Sequence, residues 1–293
     1  MFHKLLVPLD GSGEAETAIA YATEIAAAAS ADIIIAGVAD TSQAFPLYQQ
    51  YLDRTLSLLE ADLKRIGYTG RGATARMVTG KAAQEILAIA RVEAVGLVTL
   101  ARRGRSGHGP WPLGSVASRV LQKTTIPILI AKAGKPASPQ DKRIKRILVP
   151  LDTSDAGATA VPYAVELARL LGASLVLFHV EPQSRPWLIA PGVEYAYLPT
   201  TSSSQQGKNL LSHMEYLDKM AGQLSDKGIS VSQEVASGFP AGEILSYAAA
   251  NQIDLIALST HGQSGIAEFV YGSVTEKVLY AGDTAVLVVR PPK

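Results

Sequence analysis

Apolar residues in this chain fall into short uninterrupted runs separated by amphipathic stretches. Lys4–Leu9, Asp32–Val38, Thr74–Val78, Val95–Leu100 and Ile126–Ile130 are strand-like runs, several rich in β-branched residues. Continuous rather than alternating apolar character is the pattern of strands buried on both faces. Between these runs, Glu14–Ala29 reads as an Ala-rich helix, and Pro46–Gly67, Ala82–Arg91 and Ser115–Lys123 each hold a helix. The same order starts again near Arg146, with Leu175–Val180, Leu255–Leu258 and Val286–Val289 as its clearest strands. Alternating strands and helices predict an α/β fold, each half a five-stranded parallel sheet with helices on both faces. The pattern leaves the strand order open between a flavodoxin-like 2-1-3 arrangement and a variant with its switch point elsewhere.

The second half repeats the wording of the first. Lys4-Leu5-Leu6-Val7-Pro8-Leu9-Asp10 recurs as Arg146-Ile147-Leu148-Val149-Pro150-Leu151-Asp152, an offset of 142 (152 minus 10). Gly104-Arg105-Ser106-Gly107 recurs as Gly262-Gln263-Ser264-Gly265, and Gly114-Ser115-Val116 as Gly272-Ser273-Val274, both at an offset of 158 (272 minus 114). A repeat of this length is a duplicated domain rather than a solenoid unit. The expected domains are residues 1–133 and 144–293, joined across the polar, Pro-containing segment Lys132–Lys145. The 16 extra residues of the second copy (158 minus 142) are placed in Gln183–Gly207, a loop-like run whose Trp187, Tyr195 and Tyr197 suit a lid or interdomain packing.

Composition narrows the function. The chain of 293 residues is 47% hydrophobic and 18% charged, which excludes intrinsic disorder. A net charge of +1 argues against nucleic acid or an anionic membrane surface as partner. Residues 1–143 carry 17 Lys/Arg against 12 Asp/Glu and residues 144–293 carry 10 against 14, an asymmetry that favours packing of the halves on each other. Cysteine is absent, so disulfides, thiolate metal sites and cysteine nucleophiles are excluded. The apolar N-terminal stretch is too short for a signal peptide and no run approaches a membrane span, so a cytoplasmic location is expected. The five histidines, His3, His108, His179, His213 and His261, show no metal-ligand spacing, and no metal site is expected.

Candidate chemistry lies after the fourth strand of each copy. Ala101-Arg102-Arg103-Gly104 is followed after nine residues by Gly114-Ser115, and Ser259-Thr260-His261-Gly262 after nine by Gly272-Ser273. A glycine-bounded loop that ends at a helix N-terminus offers unpaired N–H groups and the positive end of the helix dipole, which suit a phosphate. The competing reading is structural: Ser115 as an N-cap, and Ser273-Val274-Thr275-Glu276 as a capping box. His261 takes the place of Arg103, so both copies offer a cation in the loop. Pro8-Leu9-Asp10 and Pro150-Leu151-Asp152 close each first strand, where ligands of open α/β sheets bind. Asp10 fits equally as a ligand contact or as the cap of the helix near Glu14. Neither a complete phosphate-binding G-x-x-x-x-G-K-[ST] nor a G-x-S-x-G elbow is present.

On these residues the sequence resembles the universal stress protein family in its tandem two-domain form, over nearly the whole chain. The resemblance implies a sheet of order 3-2-1-4-5 and pairing of the domains through their last strands, with a homodimer of whole chains left open. It also implies ATP, accompanied by Mg2+, across the ends of strands one and four. Carried over by position, adenine and ribose would meet Pro8, Leu9, Asp10 and Val38, or Pro150, Leu151, Asp152 and Val180. The phosphates would meet Gly104, Gly114, Ser115 and Val116, or His261, Gly262, Gly272, Ser273, Val274 and Thr275. No catalytic residue is assigned. Prolines 110 and 112 stiffen the first loop and favour the second site. The leading expectation is a stress-response module that holds ATP with at most slow hydrolysis. A non-nucleotide carrier or interaction scaffold is the alternative, and an ATP-consuming transferase ranks last for want of a general base.

Overall fold

A computed structural model describes residues 1–41, 43–105, 113–132, 134, 143–182, 203–261 and 272–291. The first copy runs β1 (Lys4–Leu9), α1 (Gly13–Ala29), β2 (Asp32–Ala39), α2 (Phe45–Arg65), β3 (Ala73–Thr79), α3 (Ala82–Val92), β4 (Leu97–Ala101), α4 (Ser115–Lys123) and β5 (Ile128–Ala131). The second runs β6 (Arg146–Pro150), α5 (Val161–Leu171), β7 (Ser174–Pro182), α6 (Ser203–Ser225), β8 (Val231–Gly238), α7 (Pro240–Ala250), β9 (Leu255–Ser259), α8 (Ser273–Ala281) and β10 (Ala285–Val289). A 3-10 turn at Gly157–Ala160 replaces the opening turns of α1 in the second copy. Pro162, at the position of Ala20, accounts for this: its ring lacks an N–H and crowds the preceding turn. The predicted loop Gln183–Gly207 is shorter than expected, because α6 begins at Ser203; Trp187, Tyr195 and Tyr197 lie outside the described residues.

The ten strands form one sheet of order β3-β2-β1-β4-β5-β10-β9-β6-β7-β8. Each copy has the order 3-2-1-4-5 and is parallel throughout. The copies meet antiparallel through their last strands, with Val286 opposite Ile130, Leu287 opposite Leu129 and Val288 opposite Ile128. An apolar strand at a sheet edge invites pairing, and here each twin covers the other's edge.

Alternation along β5 and β10 feeds two cores that both cross the copy boundary. Leu129, Ala131, Ala285 and Leu287 face the layer of α1, α2, α5 and α6. Ile128, Ile130, Val286 and Val288 face the layer of α3, α4, α7 and α8. Among the described residues no helix is long and apolar enough to cross a membrane.

Polar groups also bridge the copies, and one of them corrects the sequence reading. Arg102 is among the residues that line the first crevice, but its guanidinium reaches across to the second copy. It is 7% exposed, and its guanidinium donates to the Leu279 carbonyl and, at 3.2 Å, to the Thr284 carbonyl. Leu279 is in the last turn of α8, where outward-facing carbonyls and the negative end of the helix dipole favour a cation. The end of the predicted linker is likewise packed: Ile144 is fully buried, and Glu24 of α1 accepts N–H bonds from Arg143 at 3.0 Å and Ile144 at 3.4 Å. Lys132 and Asp283 form an exposed ion pair at 3.5 Å. The apolar cores therefore carry most of the join, since exposed pairs are worth ~0–1 kcal/mol.

Burial pushes the Glu24 carboxyl above its ordinary value of 4.5, against the opposing effect of the two N–H bonds and Arg143. The folded chain thus holds this proton more firmly than the unfolded chain. Its stabilising contribution is full below pH 4.5 and is lost as pH rises through the folded pKa. Glu24→Gln should flatten the fall in stability across that window. Urea midpoints at about pH 5 and about pH 7 test this, and identical pH slopes in parent and variant would refute it.

Candidate functional site

Each copy carries a crevice beyond the carboxyl ends of its first and fourth strands. These strands are neighbours, and the strand order reverses between them, which is where open α/β sheets bind ligands. In the second copy Pro150, Leu151, Asp152, Val180, His261, Gly272, Ser273, Val274 and Thr275 all line one cavity of about 310 Å³. In the first, Pro8, Leu9, Asp10, Val38, Gly104, Gly114, Ser115 and Val116 line one of about 100 Å³, with Arg103 beside them. Gly262 lies outside the described residues.

The aspartates close a relay into the first helix rather than capping it themselves. Asp10 Oδ1 accepts from the Ser12 N–H at 3.0 Å and the Ser12 hydroxyl at 2.6 Å; Ser12 is the N-cap, accepting from Ala15 N–H at 3.1 Å. Asp152, Ser154 and Gly157 repeat this at 3.1, 2.6 and 3.0 Å. Of the two readings of Asp10, the cap is thus corrected by two residues: a short serine reaches the first-turn N–H, and the aspartate orients the serine. Asp10 Oδ2 also accepts from Arg105 N–H at 2.6 Å, tying strand one to the loop after strand four. That loop passes so close that a Cβ at Gly104 would stand 2.1 Å from Asp10 Oδ2. The turn residue Gly11 has φ +81°, and its counterpart Thr153 holds φ +65°, a costly conformation for a β-branched residue beside a crevice.

At the other wall the capping-box reading fails. The N-caps are Gly114 and Gly272, both extended, and among the described residues neither helix has a side-chain cap. Ser115 and Ser273 are the first helical residues. Glu276 N–H bonds Gly272 O at 3.0 Å, so the N–H groups of Ser273, Val274 and Thr275 precede the first intrahelical bond of α8. Thr275 turns its hydroxyl inward to the Ser259 carbonyl at 2.7 Å, binding the helix to the end of β9. Close approach does not require glycine at position 272. Its φ is −64°, and a Cβ would meet Thr260 O at 3.4 Å, an ordinary contact.

Several lining residues were not anticipated. Phe178, Ile244 and Leu258 give the second crevice an apolar wall, with Phe178 packed on Tyr247 at 4.7 Å between ring centroids. Ile86 lines the first crevice at the position matching Ile244, so recurrence at the 158 offset was a usable signal. His179 and His213 also face the second crevice. His179 Nδ1 lies 2.8 Å from the Leu151 carbonyl, while Glu181 Oε2 lies 3.5 Å from His179 Nε2 and 3.0 Å from His213 Nδ1. Histidines 34 residues apart carry no ligand spacing in sequence, and the fold brings them together.

The profile of the Universal stress protein family matches residues 1–132 and again 143–290. Over 98% of this chain and 97% of its own length, a universal stress protein of Mycolicibacterium smegmatis is 25% identical. Universal stress protein MJ0531 of Methanocaldococcus jannaschii is 30% identical over 51% of this chain and 84% of its own. The crystal structure of a universal stress protein from Archaeoglobus fulgidus superposes with a TM-score of 0.70 at 19% identity, covering 99% of both chains.

Proposed function

Because the chain belongs to the universal stress protein family, we propose that it is an ATP-binding stress-response module whose binding units are residues 1–133 and 144–293. The observation that carries the reading is the same in both copies. An apolar crevice at the sheet's switch point ends at a helix N-terminus with no side-chain cap among the described residues. The apolar wall of Val180, Ile244 and Phe178 suits a purine, and the Ser273–Thr275 amides with the helix dipole suit phosphates. Mg2+ would arrive on the phosphates, since Asp152 Oδ1 is already engaged by Ser154. That engagement also leaves Asp152 poorly placed as a general base, so hydrolysis is at most slow.

The two crevices differ in size about threefold, 310 against 100 Å³. Only the second reaches the ~300–1,000 Å³ range of ordinary ligand pockets. Calorimetric titration of the full chain should therefore give one tight ATP equivalent, in the second crevice. Two equal equivalents would overturn the asymmetry. Failure to bind any ATP, together with no nucleotide released on denaturing the purified chain, would leave the carrier reading in its place.

A further inference from the structure

We propose that His179 Nε2, Glu181 Oε2 and His213 Nδ1 form a site for one divalent transition-metal ion of the zinc class, at the wall of the second crevice. The three donor atoms lie within 4.8 Å of one another, an arrangement found once among the described residues. His179 is 4% exposed, and its Nε2 has no hydrogen-bond partner among the described residues. Its other ring nitrogen faces the Leu151 carbonyl at 2.8 Å. A carbonyl can only accept, so Nδ1 carries a hydrogen and Nε2, on the side of Glu181 and His213, is the nitrogen that can ligate an ion. A backbone acceptor behind one imidazole nitrogen is the support that orients metal-binding histidines and fixes their tautomer.

The spacing agrees with coordination. Zinc binds histidine nitrogen and carboxylate oxygen at ~2.0–2.2 Å, so neighbouring ligands of a tetrahedral ion stand roughly 3.3 Å apart. The observed Glu181 Oε2 distances are 3.5 Å to His179 Nε2 and 3.0 Å to His213 Nδ1. Two imidazoles and one carboxylate are the ligand set of open zinc sites, which keep a position for water. Mg2+ and Ca2+ prefer all-oxygen surroundings, so this ion is distinct from one carried by a nucleotide. His179 and His213 both line the crevice, which is the side left for water.

The fold builds the site from two directions. His179 and Glu181, two residues apart, share one face of β7, and His213 reaches them from α6. At the 142 offset, confirmed by the matching β1–β2 and β6–β7 registers, the first copy has Gly37 and Ala39 in place of His179 and Glu181. One ion per chain follows.

The inference does not rest on nucleotide binding, and its test contains no nucleotide. Full-length protein freed of metal is titrated with Zn2+ against a chromogenic chelator, and separately with Co2+ while its visible spectrum is recorded. One Zn2+ per chain is expected, with Co2+ giving the intense bands of a four- or five-coordinate ion. His213→Ala and Glu181→Gln should each weaken Zn2+ at least about 100-fold, more than loss of a supporting hydrogen bond costs, with unchanged circular dichroism. His3→Ala should leave binding intact. No stoichiometric Zn2+, or Zn2+ binding that survives both variants, would make the trio a hydrogen-bonded strut. Should a variant fail to fold, the parent's Co2+ spectrum decides, and that of the hexa-aquo ion overturns the proposal.

Discussion

Gly272→Val is expected to weaken ATP binding at the second crevice by at least about tenfold, 1.4 kcal/mol, while the fold remains intact. Position 272 has φ −64° and ψ 150°, a conformation valine adopts readily. Its Cβ would make only ordinary contact, 3.4 Å from Thr260 O. The branched methyls would instead crowd the approach to the Ser273–Thr275 amides. Gly114→Val should cost less, because the first crevice is the smaller. Calorimetry on both variants, with circular dichroism as the fold control, measures the difference. Equal losses, or a larger loss for Gly114→Val, would reverse the assignment of the sites. Parent-like binding in Gly272→Val would make the glycine a structural cap.

Leu287→Ala should destabilise the whole chain by about 2–5 kcal/mol, the usual cost of emptying a packed leucine site. Leu287 is fully buried, stands opposite Leu129 across the antiparallel seam and shares one core with residues of both copies. Against a net stability of about 5–15 kcal/mol, that is a large fraction. Because the cores cross the seam, urea unfolding should remain a single transition, shifted as a unit. Two separated transitions, with only the second copy affected, would show the copies to be independent folding units.

Hydrophobic periodicity placed the five strands of the first copy and β7, β9 and β10 to within about two residues, because a strand buried on both faces has little choice but a continuous apolar run; β8, a half-exposed edge strand of mixed polarity, gave no such run. The tandem organisation was equally legible, since Pro-Leu-Asp and Gly-Ser recur in matching order. These same short motifs mark the crevice walls, because chain continuity alone puts them at strand ends and helix starts. Cap identity was a local question that the sequence answered one residue late: Gly272 in an extended conformation takes the position expected for Ser273.

What the tertiary structure decided was which distant segments meet. Strand order and the antiparallel β5–β10 seam depend on non-local pairing, which a pattern of apolar runs does not encode. Arg102 stands beside Arg103 and Arg105 in sequence, but the fold sets its guanidinium against the end of α8, 177 residues further along the chain. His213 is 32 residues beyond Glu181 and joins the His179–Glu181 pair of β7 only because α6 covers that strand. Local propensity is written along the chain, whereas coordination and burial of charge are properties of neighbours in space.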